Sequence, residues 1–194
     1  MGHILAKAES GEAIIMEIKD RPCIASTSFI ITPLPCCTTL NKFKISEFEF
    51  CSRFCDIITM DNRSTSLECI IRYNISSKMK DILNAYKFVN KTTRTKTNVG
   101  TLSSDVIKTK ISEEIMKKLD NSSRINAALS VTSVIGDCLV AQAIKMTFKE
   151  LMVNKQCLTE IAFKTAKVVL SRNGIHLKSF DLQDVSLVFD YSNS

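Results

Sequence analysis

The sequence predicts an α+β domain: a bulged, mostly antiparallel β-sheet packed with helices. Three observations lead there. Residues 12 to 75 are written as short β-branched and aromatic runs broken by turn residues, residues 124 to 172 carry helical periodicity, and 175 to 188 return to a strand pattern. With 194 residues and 45% hydrophobic content the chain can bury a substantial core.

Glu12 to Ile18 (EAIIMEI) is short, apolar and β-branched, and Asp20-Arg21-Pro22 punctuates its end, so it reads as a strand. Residues 1 to 11 before it are expected to form a mobile terminus. Phe29 to Thr32 is a second extended piece, and Pro33 and Pro35 turn the chain at TPLPCC. In Lys42 to Phe50 the apolar residues alternate as Phe43 and Ile45, then resume out of phase as Phe48 and Phe50. A bulge near Ser46 or Glu47 would keep both pairs on one face of a single strand. Ile57 to Thr59 and Ser66 to Ile75 read as two further strands turned at Asp61-Asn62.

After Ser77 the texture changes. Residues 78 to 118 hold ten Lys or Arg against four Asp or Glu, which accounts for the whole formal charge of +6. KFVNKTTRTKTNVG reads as a solvated basic loop, and the stretch 78 to 122 as a basic insertion in a domain spanning 12 to 188, with 189 to 194 as a tail. A helix capped by Ser103 or Ser104 would line up Ile107, Ile111, Ile115 and Leu119. Arg124 to Met146 is rich in Ala, Val, Ile and Leu. Thr147 to Arg172 carries a broad apolar helical face that stops at Asn173-Gly174. The closing strand, Ile175 to Val188, slips phase twice, from Ile175 and Leu177 to Phe180 and Leu182, then to Val185 and Leu187.

Enzymatic chemistry finds little to stand on. His3 and His176 are the only imidazoles, and GxSxG, phosphate-loop and dinucleotide fingerprints are absent. The eight cysteines lack the repeated close pairs of a zinc module and the framework of a small secreted domain, so reduced thiols are expected and neither metal nor cofactor is. Charges interrupt the first twelve residues where a secretory leader needs its apolar core. No uninterrupted apolar run reaches the length of a membrane-spanning helix.

Four blocks resemble the stomatin/prohibitin (SPFH, band 7) family, in its stomatin-like branch. Asn173-Gly174-Ile175 followed by LKSFDLQDVSLV is similar to the family's WGI and VxRVEIKDVxLP, with Asp184, Val185 and Leu187 in place. Upstream of it, with no gap in the alignment, TFKELMVNKQCL resembles SLTEILxxRxxI and puts Phe148, Glu150 and Leu151 on its characteristic positions. FIITPLPC resembles GLFFVLPC, and DIITMDNRSTSLECIIRYNI resembles EVITRDSVTVSVDGVVYYRV. The blocks keep the family's order over about three fifths of the chain. Asn173 replaces the family's Trp and Val188 its final Pro, Arg53-Phe54-Cys55-Asp56 stands where the family has PPQE, and residues 78 to 122 exceed the usual connection. The family's membrane hairpin and long coiled coil are not in these 194 residues, so neither ordinary anchoring nor ordinary ring assembly is expected.

The resemblance implies a non-enzymatic, membrane-associated scaffold at the cytoplasmic face of a membrane. It would bind integral membrane proteins or other SPFH subunits as a homo- or hetero-oligomer. Candidate lipid contacts are Phe29, Ile30, Ile31 and Leu34, beside Cys36 and Cys37 as acylation candidates, with Lys87, Lys91, Arg94 and Lys96 facing anionic lipid. The alternative for the apolar residues is a buried strand, and for the thiols plain packing. Two other functions compete: a soluble regulator pairing with full-length SPFH proteins without lipid contact, and a nucleic-acid-binding protein. The second ranks last because the basic stretch lacks interleaved aromatics.

Overall fold

A computed structural model describes residues 3–33, 38–98, 109–110 and 122–190. Its architecture is α+β, with three antiparallel sheets and helices packed against them. The first sheet is a two-stranded ribbon of β1 (His3–Lys7) and β4 (Phe29–Pro33). The second has the order β3-β2-β5, formed by β2 (Glu12–Ile18), β3 (Arg21–Ser26) and β5 (Thr38–Lys44). The third has the order β8-β6-β7-β9, from β6 (Phe48–Ile58), β7 (Arg63–Ile75), β8 (Thr109–Lys110) and β9 (Ile175–Asp190). The helices are α1 (Met79–Asn98), α2 (Ser122–Ala143), α3 (Phe148–Val153) and α4 (Lys155–Arg172).

β2 and β3 form a hairpin whose two-residue loop, Lys19-Asp20, takes φ values of 49° and 59°. That pair of left-handed residues matches the twist of the strands it joins. Pro22 is tolerated because β3 is an edge strand. β2 has no solvent side over Glu12 to Met16. Ala13 and Ile15 enter the main core with Ala25 and Phe43, while Ile14 and Met16 form a second cluster with Ile30 of the ribbon.

The four-stranded sheet turns Phe48, Phe50, Phe54 and Ile57 of β6 and Leu67, Cys69, Ile71, Tyr73 and Ile75 of β7 toward the helices. α2 contributes Ala128, Val131, Ile135 and Leu139, and α4 contributes Leu158, Ala162, Ala166 and Leu170, each at helical spacing. The alanines let the two helices approach closely and both press on the sheet. α1 adds Ile82, Ala85 and Val89 to the same core and packs on β3 and α2.

β9 accounts for the phase slips of its sequence. Its register with β7 shifts at Ser64/Thr65, Glu68/Cys69 and Arg72/Tyr73, leaving Val188, Gln183 and Lys178 as the extra residues. The bulges recur every five residues. They return Ile175 and Leu177, then Phe180 and Leu182, then Val185 to the core side.

Several expectations are corrected. The mobile N-terminus contains β1, because its residues find a partner strand in Phe29–Pro33. Lys42 to Phe50 is not one bulged strand. The chain leaves the second sheet after Lys44 and enters the third at Phe48, and the Gly11 carbonyl holds the crossing by accepting from the amides of Ile45 (2.8 Å) and Ser46 (3.2 Å). A bulge does occur further along β6, at Cys55-Asp56, where Asp56 has φ 59°. The basic loop is helical up to Asn98, because Ile82, Ala85 and Val89 give it an apolar stripe to bury. Thr109–Lys110, placed by periodicity in a helix, is a strand paired with Arg53 and Phe54; Ile107, Ile111, Ile115 and Leu119 lie outside the described residues. Thr147 to Arg172 is two helices divided at Asn154, the first opened by a capping box in which Thr147 and Glu150 bond reciprocally.

Candidate functional site

Strand alternation sorts the apolar residues of the ribbon. In the β1–β4 register Leu5 lies opposite Ile31, Lys7 opposite Phe29, and Ala6 opposite Ile30. Successive residues point to opposite faces. Ala6 and Ile30 therefore turn inward onto Ile14 and Met16, and Ile30 is 6% exposed. Leu5, Phe29 and Ile31 turn outward and remain 68%, 56% and 60% exposed. Ile30 is thus removed from the candidate contact set, for the reason that it fills the space above β2. Phe29 and Ile31 stay in it and Leu5 joins them. Leu34, Cys36 and Cys37 lie outside the described residues.

Two more exposed apolar residues lie on the face of the second sheet against which the ribbon packs. Ile24 lies opposite Met16 on the ribbon side of the second sheet, and Ile18 follows Met16 on that same side; they are 41% and 42% exposed. These five side chains, Leu5, Phe29, Ile31, Ile18 and Ile24, form the candidate site. Leu5 was missed because a terminus with charges reads as unstructured. HILAK is a short apolar run between a His and a Lys, with no polar–apolar alternation to mark its two faces, so its partner strand decides which side chains face out.

The basic candidates stand elsewhere. Lys87 and Lys91 are exposed, one turn apart on α1, and Arg94 and Lys96 belong to the same helix. Tyr86 of α1 meets Phe43 of β5 edge to face, with ring centroids 5.4 Å apart. Phe43 belongs to the main core, on the side of the second sheet opposite the ribbon cluster. Ribbon and basic helix therefore sit on opposite faces of one sheet, and the structure does not bring the two candidate sets together.

The outer face of the four-stranded sheet is polar, carrying Glu49, Arg53, Glu68, Arg72, Asp181 and Asp184. The Cys51 thiol there donates to Glu68 Oε1 at 3.3 Å; burial first, then that carboxylate, pushes it up to about 11, away from a reactive thiolate. Burial likewise raises the buried Cys69. His176 lies opposite Asn74 in the ladder, part-buried. Among the described residues no group of three or more His, Cys, Asp or Glu could hold a metal ion.

A second surface feature is a groove of about 710 Å³ between α4 and the outer edge of β9, walled by Lys155, Thr159, Phe163, Lys178, Asp181 and Leu182 among others. Among the described residues one helix, Arg124–Ala143, is long and apolar enough to cross a membrane by length and composition, with a mean hydropathy of 1.3 over a window of which 44% is buried inside the fold. Its buried stripe is the one that packs on the sheet and α4.

No model of a known protein family matches the chain, and no curated protein matches it either.

Proposed function

We propose that this chain is a stomatin-like SPFH-type domain that works without catalysis, as a peripheral scaffold seated on a membrane surface. It gathers integral membrane proteins or related subunits at the cytoplasmic face. The observation that carries the reading is the outward face of the β1–β4 ribbon, where Leu5, Phe29 and Ile31 stand side by side in solvent. Contiguous exposed apolar surface on a folded domain marks a contact with lipid or protein.

The magnitudes suit reversible attachment. Fully burying a Leu, Ile or Phe is worth about 1.5–3 kcal/mol, so three such side chains, each more than half exposed, supply about 4 kcal/mol together. A single myristoyl chain, at about 5.5 kcal/mol, binds somewhat more strongly and is itself only marginal, so stable anchoring takes a second signal. The resemblance also finds support in how the blocks meet. The strand of the DIITMDNRSTSLECIIRYNI block pairs along its whole length with the closing strand.

Flotation of the full chain with liposomes tests the proposal. The wild type should float, and a variant carrying Leu5→Ser, Phe29→Ser and Ile31→Ser should stay in the load with its circular dichroism unchanged. A wild type that fails to float on any lipid composition would sink the peripheral reading.

The groove between α4 and β9 favours a second reading, a soluble regulator that pairs with SPFH partners through those two elements. A chain that stays off liposomes, yet co-purifies with a stomatin-type partner in detergent and loses it on substituting Phe163, would support this one.

A further inference from the structure

Among the described side chains, the outward face of the ribbon holds one cation beside its apolar residues. Lys7 lies directly opposite Phe29 and two residues along from Leu5, so it shares their face, and it is exposed. Its ammonium has no ion pair or hydrogen bond among the described residues. The neighbouring acids are already engaged. Glu9 pairs with Lys42 at 2.8 Å, Glu12 with Lys44 at 2.7 Å and Lys42 at 3.6 Å, and Glu17 accepts from Thr39 and Asn41.

A lysine in this setting lays its alkyl stem along the apolar neighbours and lifts its ammonium to the rim of the patch. On a lipid surface that rim is the level of the phosphates. We propose that the ribbon selects an anionic lipid surface, with Lys7 as its headgroup contact; this rests on the membrane reading above and names its lipid class. The lysines of α1 cannot take the same role in that docking, because the second sheet stands between them and the ribbon. One basic group close to an anionic leaflet strengthens binding about fivefold, and salt weakens the gain by shortening the Debye length over which it acts.

The test compares phosphatidylcholine vesicles with vesicles containing one third phosphatidylserine, at low and high salt, using the full chain, Lys7→Gln and the ribbon triple variant. The expected result is partitioning about fivefold stronger on the anionic vesicles, a difference that disappears in Lys7→Gln and in high salt. Equal partitioning on both vesicles, with binding still abolished by the triple variant, would overturn the anionic preference and leave membrane docking intact. A preference that survives in Lys7→Gln would overturn the assignment to Lys7. Absence of binding to either vesicle would overturn the membrane reading itself.

Discussion

Asp61 Oδ1 accepts the backbone amide of Phe148 at 3.0 Å, tying the β6–β7 turn to the start of α3 across 87 positions of sequence. The same oxygen accepts from Thr59 Oγ1 at 2.7 Å, and the Met60 amide donates to the Met146 carbonyl at 2.9 Å. Arg63 completes the junction, 3.5 Å from the Asp61 carboxylate and over the Phe148 ring. Two of the sequence blocks that resemble stomatins thus meet at one carboxylate.

Asp61→Ala should therefore lower stability by about 1 kcal/mol, since it strands an amide at the helix start, while Asp61→Asn, which keeps an acceptor, should lose less. Urea midpoints of the two variants decide this. Equal midpoints for Asp61→Ala and the wild type would mean that the bond contributes nothing.

The junction is also pH-dependent. Burial works to raise the Asp61 carboxyl, but the bonds from Thr59 and the Phe148 amide and the Arg63 charge outweigh it, and the net value falls below the ordinary one of 3.8. A group lowered on folding contributes stability above its unfolded pKa and loses it as pH falls through the folded value. Stability of the wild type should drop more steeply below about pH 4 than that of Asp61→Asn.

Glu12 carries the same sign more deeply in the fold. Its side chain is 4% exposed, and the bond from Lys44 and then the Lys42 charge hold its carboxyl below 4.5 against the opposing effect of burial. Glu12→Gln should cost about 2 kcal/mol, measured near neutral pH, because Lys44 keeps its charge without a full partner. Acid titration of the wild type should remove that difference.

Gly174 has φ +76°, and a Cβ there would run into the Asp81 carbonyl in the first turn of α1. Gly174→Ala should destabilise by at least about 2 kcal/mol, combining the left-handed backbone with a clash against main chain that cannot swing aside. Gly11, also at φ +76°, faces only the Ser46 side chain at 3.1 Å, so Gly11→Ala should be the milder change.

Tyr73 is fully buried between Phe48 and Phe50, and its hydroxyl has no partner among the described residues. Tyr73→Phe should be neutral or stabilising by up to about 1 kcal/mol, since it removes a desolvated polar group and keeps the ring stacking. A clear loss in thermal midpoint would mean that the hydroxyl has a partner.

The closing strand was the most legible part of the fold. Its two phase slips named the bulges at Lys178 and Gln183, because a half-buried strand must return its apolar residues to one side after every bulge; the third, at Val188, left no such mark, and Leu187, expected in phase with Val185, is exposed. The slip between Ile45 and Phe48 looked alike and meant something else. There the chain changes sheets, and the Gly11 carbonyl that guides it lies more than thirty residues away, beyond the reach of local periodicity. Alpha-helix α1 was hidden by the threonines of TTRTKT, poor helix formers whose neighbours Ile82, Ala85 and Val89 carry the burial. At the candidate site FIIT was readable as apolar but not as two-faced. Only the pairing with HILAK decided that Phe29 and Ile31 face out and Ile30 faces in.

Strand β2 grips the ribbon with Ile14 and Met16 and the main core with Ala13 and Ile15, residues that alternate along four consecutive positions. The ribbon and the helices are therefore mechanical elements in series, with the thickness of one polypeptide between them. Stiffening or loosening β2, for example by Ile14→Ala, would change how faithfully the displacement of one layer is passed to the other without touching either surface.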